Sequence, residues 1–82
     1  EQTIQISIHY FAGLRDTTKK DFETIPIRKG VTAESVYQHL ITKYSLPDIN
    51  TLKVAINDSS ASHDTAIMDQ AKLDFIPTVT GG

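Results

Sequence analysis

TAESVYQHLITKY, residues 32–44, is the stretch that decides the architecture. Val36, Tyr37, Leu40, Ile41 and Tyr44 recur at three- and four-residue spacing, which places them on one stripe of a helix. Thr32 is a good N-cap, Glu34 lies in the first turn, and Leu46-Pro47-Asp48 stops the run. The pattern predicts one long helix over 32–44. A helix with a single apolar stripe must bury it against another layer, and the rest of the chain offers only strands.

Working outward, residues 3–11 alternate almost without error. Ile4, Ile6, Ile8 and Tyr10 fall on one side and Thr3, Gln5, Ser7 and His9 on the other, as expected of a half-buried strand. In Ala12-Gly13-Leu14-Arg15-Asp16, Gly13 permits a turn and Leu14 can fold back as a plug. Residues 17–21 read as an exposed hairpin loop. A second strand is expected over 21–27, with Phe22, Ile25 and Ile27 as its apolar members and Pro26 marking its end or a sheet edge. After the helix, Leu52, Val54 and Ile56 form a third strand, 57–60 a turn, 61–64 a short strand, and 72–76 the last strand. Strand, strand, helix, strand, short strand, strand is the order of an α+β, β-grasp layout: a mixed sheet of four to five strands with one helix across one face. Residues 1–76 form the expected domain and 77–82 an extended tail.

Composition narrows the chemistry. The chain has 82 residues, enough for one modest core but too few for a cofactor cleft between two lobes. It is 39% hydrophobic and 22% charged, inside the range of chains that fold. Lys plus Arg total 8 against 10 Asp plus Glu, a net charge of -2 with no basic stripe, which argues against nucleic acid and anionic membrane as partners. With no cysteine, disulfides, thiolate catalysis and zinc-thiolate sites are excluded. No long apolar run is present and Glu1-Gln2-Thr3 lacks the pattern of a secretion signal, so a cytoplasmic protein is expected. His9, His39 and His63 have no ligand spacing, so no metal site is expected and each reads as a surface residue. No phosphate-cradling loop, acid dyad or Ser-His-Asp arrangement occurs.

Chemistry is therefore sought at the surface and in the tail, FIPTVTGG, residues 75–82. Two glycines leave a terminal carboxylate unhindered and able to enter a narrow channel. Extended, residues 77–82 reach about 20 Å, and nothing charged interrupts 75–80. A carboxylate is a poor electrophile, so an ATP-using partner would have to activate it. Strand parity adds a second element. With Ile4 to Tyr10 and Leu73, Phe75 facing the helix, Phe11 and Ile76 face outward, and in a β-grasp sheet they would form a small docking patch at the root of the tail.

Three elements in order resemble a known family. Tyr10-Phe11-Ala12-Gly13-Leu14-Arg15 is similar to the F-A-x-[LV]-R element of the small, sulfur-carrying subunit of molybdopterin synthase, one of the MoaD/ThiS-like ubiquitin-like proteins. Val54-Ala55-Ile56-Asn57 resembles its V-A-V-N strand, and residues 75–82 resemble its F-x-P-P-V-x-G-G ending. The resemblance implies that Gly82, preceded by Gly81, is adenylated by an E1-like enzyme and converted to a thiocarboxylate. The sulfur is then donated to the pterin precursor in the large synthase subunit, in a heterotetramer with that subunit. The chain would be no enzyme by itself, would bind no cofactor, and would rely on ATP used by its activating partner. Phe11, Leu14, Arg15, Ile76, Pro77 and Val79 are the expected partner contacts. The sequence departs from the family at Thr78, where a second proline is usual, at Asp69-Gln70-Ala71 in place of Asp-Gly-Asp, and at Ser60 in place of an apolar contact. A thiamine-pathway sulfur carrier, a ubiquitin-like modifier joined to lysines and a plain binding domain are the alternatives.

Overall fold

The computed structural model describes residues 2–78. The elements run β1 (Thr3–Tyr10), α1 (Gly13–Thr18), β2 (Phe22–Arg28), α2 (Ala33–Lys43), a 3-10 turn (Ile49–Thr51), β3 (Leu52–Ile56), β4 (Ser59–Ala61) and β5 (Lys72–Pro77). They build a five-stranded sheet in the order β2-β1-β5-β3-β4. β1 and β5, the first and last strands, are parallel neighbours at its centre, and every other pairing is antiparallel. This is the β-grasp fold expected for the chain, with the strand placement that the family resemblance implies.

The helix forms where its caps place it. The Thr32 hydroxyl accepts from the Ser35 N–H at 3.2 Å, and two further first-turn N–H groups are taken by the returning loop, Ala33 to the Thr65 carbonyl and Glu34 to that of His63. At the other end the Tyr44 N–H reaches the Leu40 carbonyl, and the Tyr37 hydroxyl donates to the Pro47 carbonyl at 2.7 Å, fixing the exit. Burial pushes the Tyr37 phenol up to about 12, with the Asp48 charge adding to the shift. Val36, Tyr37 and Leu40 are buried against Ile4, Ile6, Ile8, Tyr10, Leu73 and Phe75. At roughly 1.5–3 kcal/mol for each large apolar side chain removed from water, this one contact layer accounts for much of the fold's cohesion. The Tyr37 and Phe75 rings lie 4.8 Å apart at its middle.

The structure corrects the sequence reading in four places. Residues 13–18 are a short helix, not a loop; six residues containing Gly13, Thr17 and Thr18 carry little helical propensity, and no side chain caps the start. Its Leu14 is the expected plug, 2% exposed. β4 begins at Ser59, because Asn57 (φ 53°) and Asp58 (φ 71°) both take the left-handed region and complete a two-residue hairpin turn where four residues were expected. Phe22 is not a core member: with Glu23, Ile25 and Ile27 turned inward, parity puts it on the outer face, 57% exposed. β5 runs on through Pro77, and Thr78 is tied to the Thr51 carbonyl by both its N–H and its hydroxyl at 3.1 Å. The turn before β5 survives the missing glycine, since Gln70 itself adopts φ 67° and donates its N–H to the Gln5 carbonyl, while Asp69 accepts from the Gln5 N–H. Pro26 lies on β2, an edge strand, where a missing N–H leaves no ladder bond unmade.

Candidate functional site

Alternation along β1 and β5 divides the sheet into a helix-covered face and an outer face. One rung of the outer face crosses all five strands: Phe22, His9, Asp74, Ala55 and Ser60 are successive register partners. One step nearer the tail lie Ile76, opposite Lys53, and Phe11, which follows Tyr10, the partner of Phe75. Phe11 is 39% exposed and Ile76 half-buried, so the outward patch expected from parity stands at the end of the two central strands. Pro77, half-buried, continues from it.

The other expected contacts sort differently. Arg15 is exposed and lies 3.7 Å from Asp21, itself exposed, a pair that contributes little. It is therefore open to a partner. Leu14 differs: in this chain its side chain is buried in the core, on α1. Val79, Gly81 and Gly82 lie outside the described residues.

Behind the patch, a polar cluster fixes the end of β1. The Tyr10 hydroxyl donates to Glu23 at 2.5 Å, Tyr44 to the same oxygen at 3.2 Å, and Lys20 to the other at 3.1 Å. Burial, reinforced by Glu23, holds the Tyr10 phenol well above its ordinary range. Burial alone would raise the Glu23 carboxyl, but the hydrogen bonds from Tyr10, Lys20 and Tyr44, with the Lys20 charge, hold it below the usual value. The strand that presents Phe11 is thereby joined to β2 and to the end of α2.

Sequence reasoning passed over three features of the outer face. His9 stacks on Phe22 at 5.4 Å between ring centres, a pair that needs the β1–β2 register to be seen. Lys72 bridges to Asp58 at 2.8 Å. Asp74, 5% exposed, is buried on the face turned away from the helix. Its outward placement was available from parity with Leu73 and Phe75, but its burial was not. Burial raises its carboxyl above the ordinary value, while the Lys72 and His9 charges pull the other way.

Among the described residues no three His, Cys, Asp or Glu side chains are grouped to hold a metal ion, and no helix is long and apolar enough to cross a membrane. The arrangement is a half-apolar outer face at the ends of β1 and β5. The ThiS family pattern matches residues 8–82, almost the whole chain. The chain belongs to the ThiS family. This ubiquitin-like sulfur-carrier family gives the face and the tail a common setting. No curated protein matches the chain significantly. Among solved structures, a putative molybdopterin converting factor subunit 1 from Pyrococcus furiosus superposes with a TM-score of 0.78 at 19% identity, covering 93% of this chain and 99% of that one. The small archaeal modifier protein 1 of H. volcanii gives 0.78 at 15% identity, over 93% and 99%. A complex of subunits 1 and 2 of molybdopterin-converting factor from Helicobacter pylori gives 0.63 at 18% identity, over 96% and 100%. At these identities the likeness is one of fold.

Proposed function

We propose that this chain is the sulfur carrier of molybdopterin synthesis. Its terminal carboxylate, on Gly82, attacks the α-phosphate of ATP in an E1-like enzyme, releasing pyrophosphate, and a sulfur nucleophile then displaces AMP from the acyl-adenylate to leave a thiocarboxylate. The large synthase subunit receives the tail and takes the sulfur into the pterin precursor. The observation that carries the proposal is the parallel pairing of β1 with β5, which sets the Phe11–Ile76 patch at the root of the tail. The Phe-Ala-x-Leu-Arg element at 11–15 supports the molybdopterin pathway in particular, and in a chain without cysteine any sulfur carried would be held on a carboxyl group rather than a thiol.

A modifier role is the second reading, favoured by the fold likeness to the archaeal modifier protein. Incubation with an E1-like enzyme, ATP and a sulfur source is expected to raise the intact mass by the difference between sulfur and oxygen, and deletion of Gly82 to abolish the change. A chain that acquires no such mass is not a carrier. Adducts on lysines of many cellular proteins, without binding to a large synthase subunit, would establish the modifier instead.

A further inference from the structure

Thr78, standing where the resembled ending has its second proline, is fastened to the body by two donors that a proline lacks. The β3–β5 register accounts for the first. Asn57 N–H bonds to the Lys72 carbonyl at 2.8 Å, so hydrogen-bonded pairs recur at every second rung: Ala55 with Asp74, Lys53 with Ile76 and, one rung past Leu52 and Pro77, Thr51 with Thr78. The Thr78 N–H reaches the Thr51 carbonyl at 3.1 Å. The Thr78 hydroxyl takes the other lone pair of the same oxygen, also at 3.1 Å. Pro77 falls on the alternate rung, where its missing N–H leaves the β3 ladder intact.

The acceptor stands on a braced turn. Thr51 donates its N–H, at 3.0 Å, and its hydroxyl, at 2.7 Å, to the Asp48 carbonyl, and the Asp48 carboxylate accepts from the Asn50 N–H at 2.8 Å. The preceding carbonyl, of Pro47, holds the hydroxyl of the core residue Tyr37 at 2.7 Å, so the turn is anchored to α2. From Thr78 the last four residues, 79–82, span at most about 13 Å at roughly 3.3 Å each, against about 20 Å for residues 77–82. We infer that Thr78 is the positioning residue of the tail: its clamp on Thr51 fixes the point from which residues 79–82 leave the body, and so how far the Gly82 carboxylate is carried toward an activating or receiving pocket. The inference rests on the sulfur-carrier reading above and deepens it. Docking a chain end costs backbone entropy for every residue immobilised, so holding Pro77 and Thr78 in place beforehand tightens binding. A second proline restricts this position by its ring; this chain restricts it by hydrogen bonds.

The test is steady-state adenylation of the full chain by its E1-like enzyme, together with hydrogen exchange at the Thr78 amide of the isolated chain. In the parent that amide is expected to exchange at least about 5-fold more slowly than its intrinsic rate. Thr78→Gly, which removes the hydroxyl and frees the backbone, is expected to raise KM about 10-fold at unchanged kcat, and Thr78→Val, which keeps the N–H and the branched Cβ, about 2- to 3-fold. Thr78→Pro is the decisive variant: it loses both donors and the stability they lend, yet restores the restriction, and is expected to stay within about 2-fold of the parent KM. A KM in Thr78→Gly equal to the parent's or lower overturns the inference. So does a Thr78→Pro KM that follows the glycine variant, because the donors would then serve the fold or the partner directly, and so does a fall in kcat with KM unmoved. A Thr78 amide exchanging at its intrinsic rate, in a chain that is adenylated, removes the clamp alone. A parent chain that the enzyme does not adenylate removes the sulfur-carrier reading and the inference with it.

Discussion

The two faces of one sheet are built to different rules. Toward α2, every side chain from Ile4 to Tyr10 and from Leu73 to Phe75 that points inward is at most 7% exposed, and the polar groups that intrude, Tyr37, Tyr44 and Glu23, end in hydrogen bonds. Away from it, two phenylalanines are exposed, a histidine serves as a stacking partner, and a buried acid has an unmade bond. The first face satisfies its own polar groups; among the described residues the second leaves one buried oxygen without a partner and two rings in water. The two-residue period of the strands thus separates a sealed face from an open one, so that the neighbours Phe75 and Ile76 sit in different surroundings.

Four substitutions break or sharpen this contrast. Phe75→Ala empties the centre of the inner face beside Tyr37 and is expected to cost about 3–5 kcal/mol, a large part of the total for a small domain, read as the denaturant midpoint. Glu23→Gln should cost about 1–3 kcal/mol by weakening the acceptor shared by Tyr10, Tyr44 and Lys20. Its pH signature is distinct. The Glu23 carboxyl is held below its unfolded value, so its contribution is full above the ordinary carboxylate range and is lost as pH falls through the depressed value. The loss on acidification should be shallower in Glu23→Gln, measured as melting temperature against pH.

On the outer face the signs change. Asp74→Asn is expected to stabilise the isolated chain by about 1 kcal/mol near neutrality, roughly 4–8 °C in melting temperature. Because burial raises the Asp74 carboxyl, the penalty of its charged form appears as pH rises through that raised value, and the advantage of the asparagine should fade in acid. Phe11→Asp should move stability least, within about 0.5 kcal/mol, because the ring is already in contact with water. Under the proposed function its effect is expected in binding to the large subunit.

How much of this was legible in the sequence follows the same division. The inner face was readable residue by residue, because burial imposes a period: 2 along β1, 3.6 along α2, whose caps Thr32 and Tyr44 fall at the ends of the 32–44 stretch. Parity alone also gave the outward side of Phe11 and Ile76. What escaped depended on pairings between distant segments or on single backbone angles. Phe22 has the same apolar character whichever way it faces, and only the register opposite His9 decides. Asn57 and Asp58 were recognised as turn residues, but their paired left-handed angles fix the start of β4 two residues earlier than composition indicated. The helix at 13–18 is held by Leu14 in the core rather than by its own propensity. Asp74 looked like any polar residue between two apolar ones, since the scarcity of donors around it is a property of the assembled rung.

The adjacency of β1 and β5 has a mechanical corollary. Their register runs Ser7 to Lys72 through Tyr10 to Phe75, with both strands pointing the same way. Tension between the tail and the beginning of β1 therefore slides one strand along the other, loading the whole ladder together, whereas a terminal hairpin would peel open one rung at a time. A pull applied along these two strands meets the sheet along its strongest grain, so the fold resists it as a block rather than rung by rung.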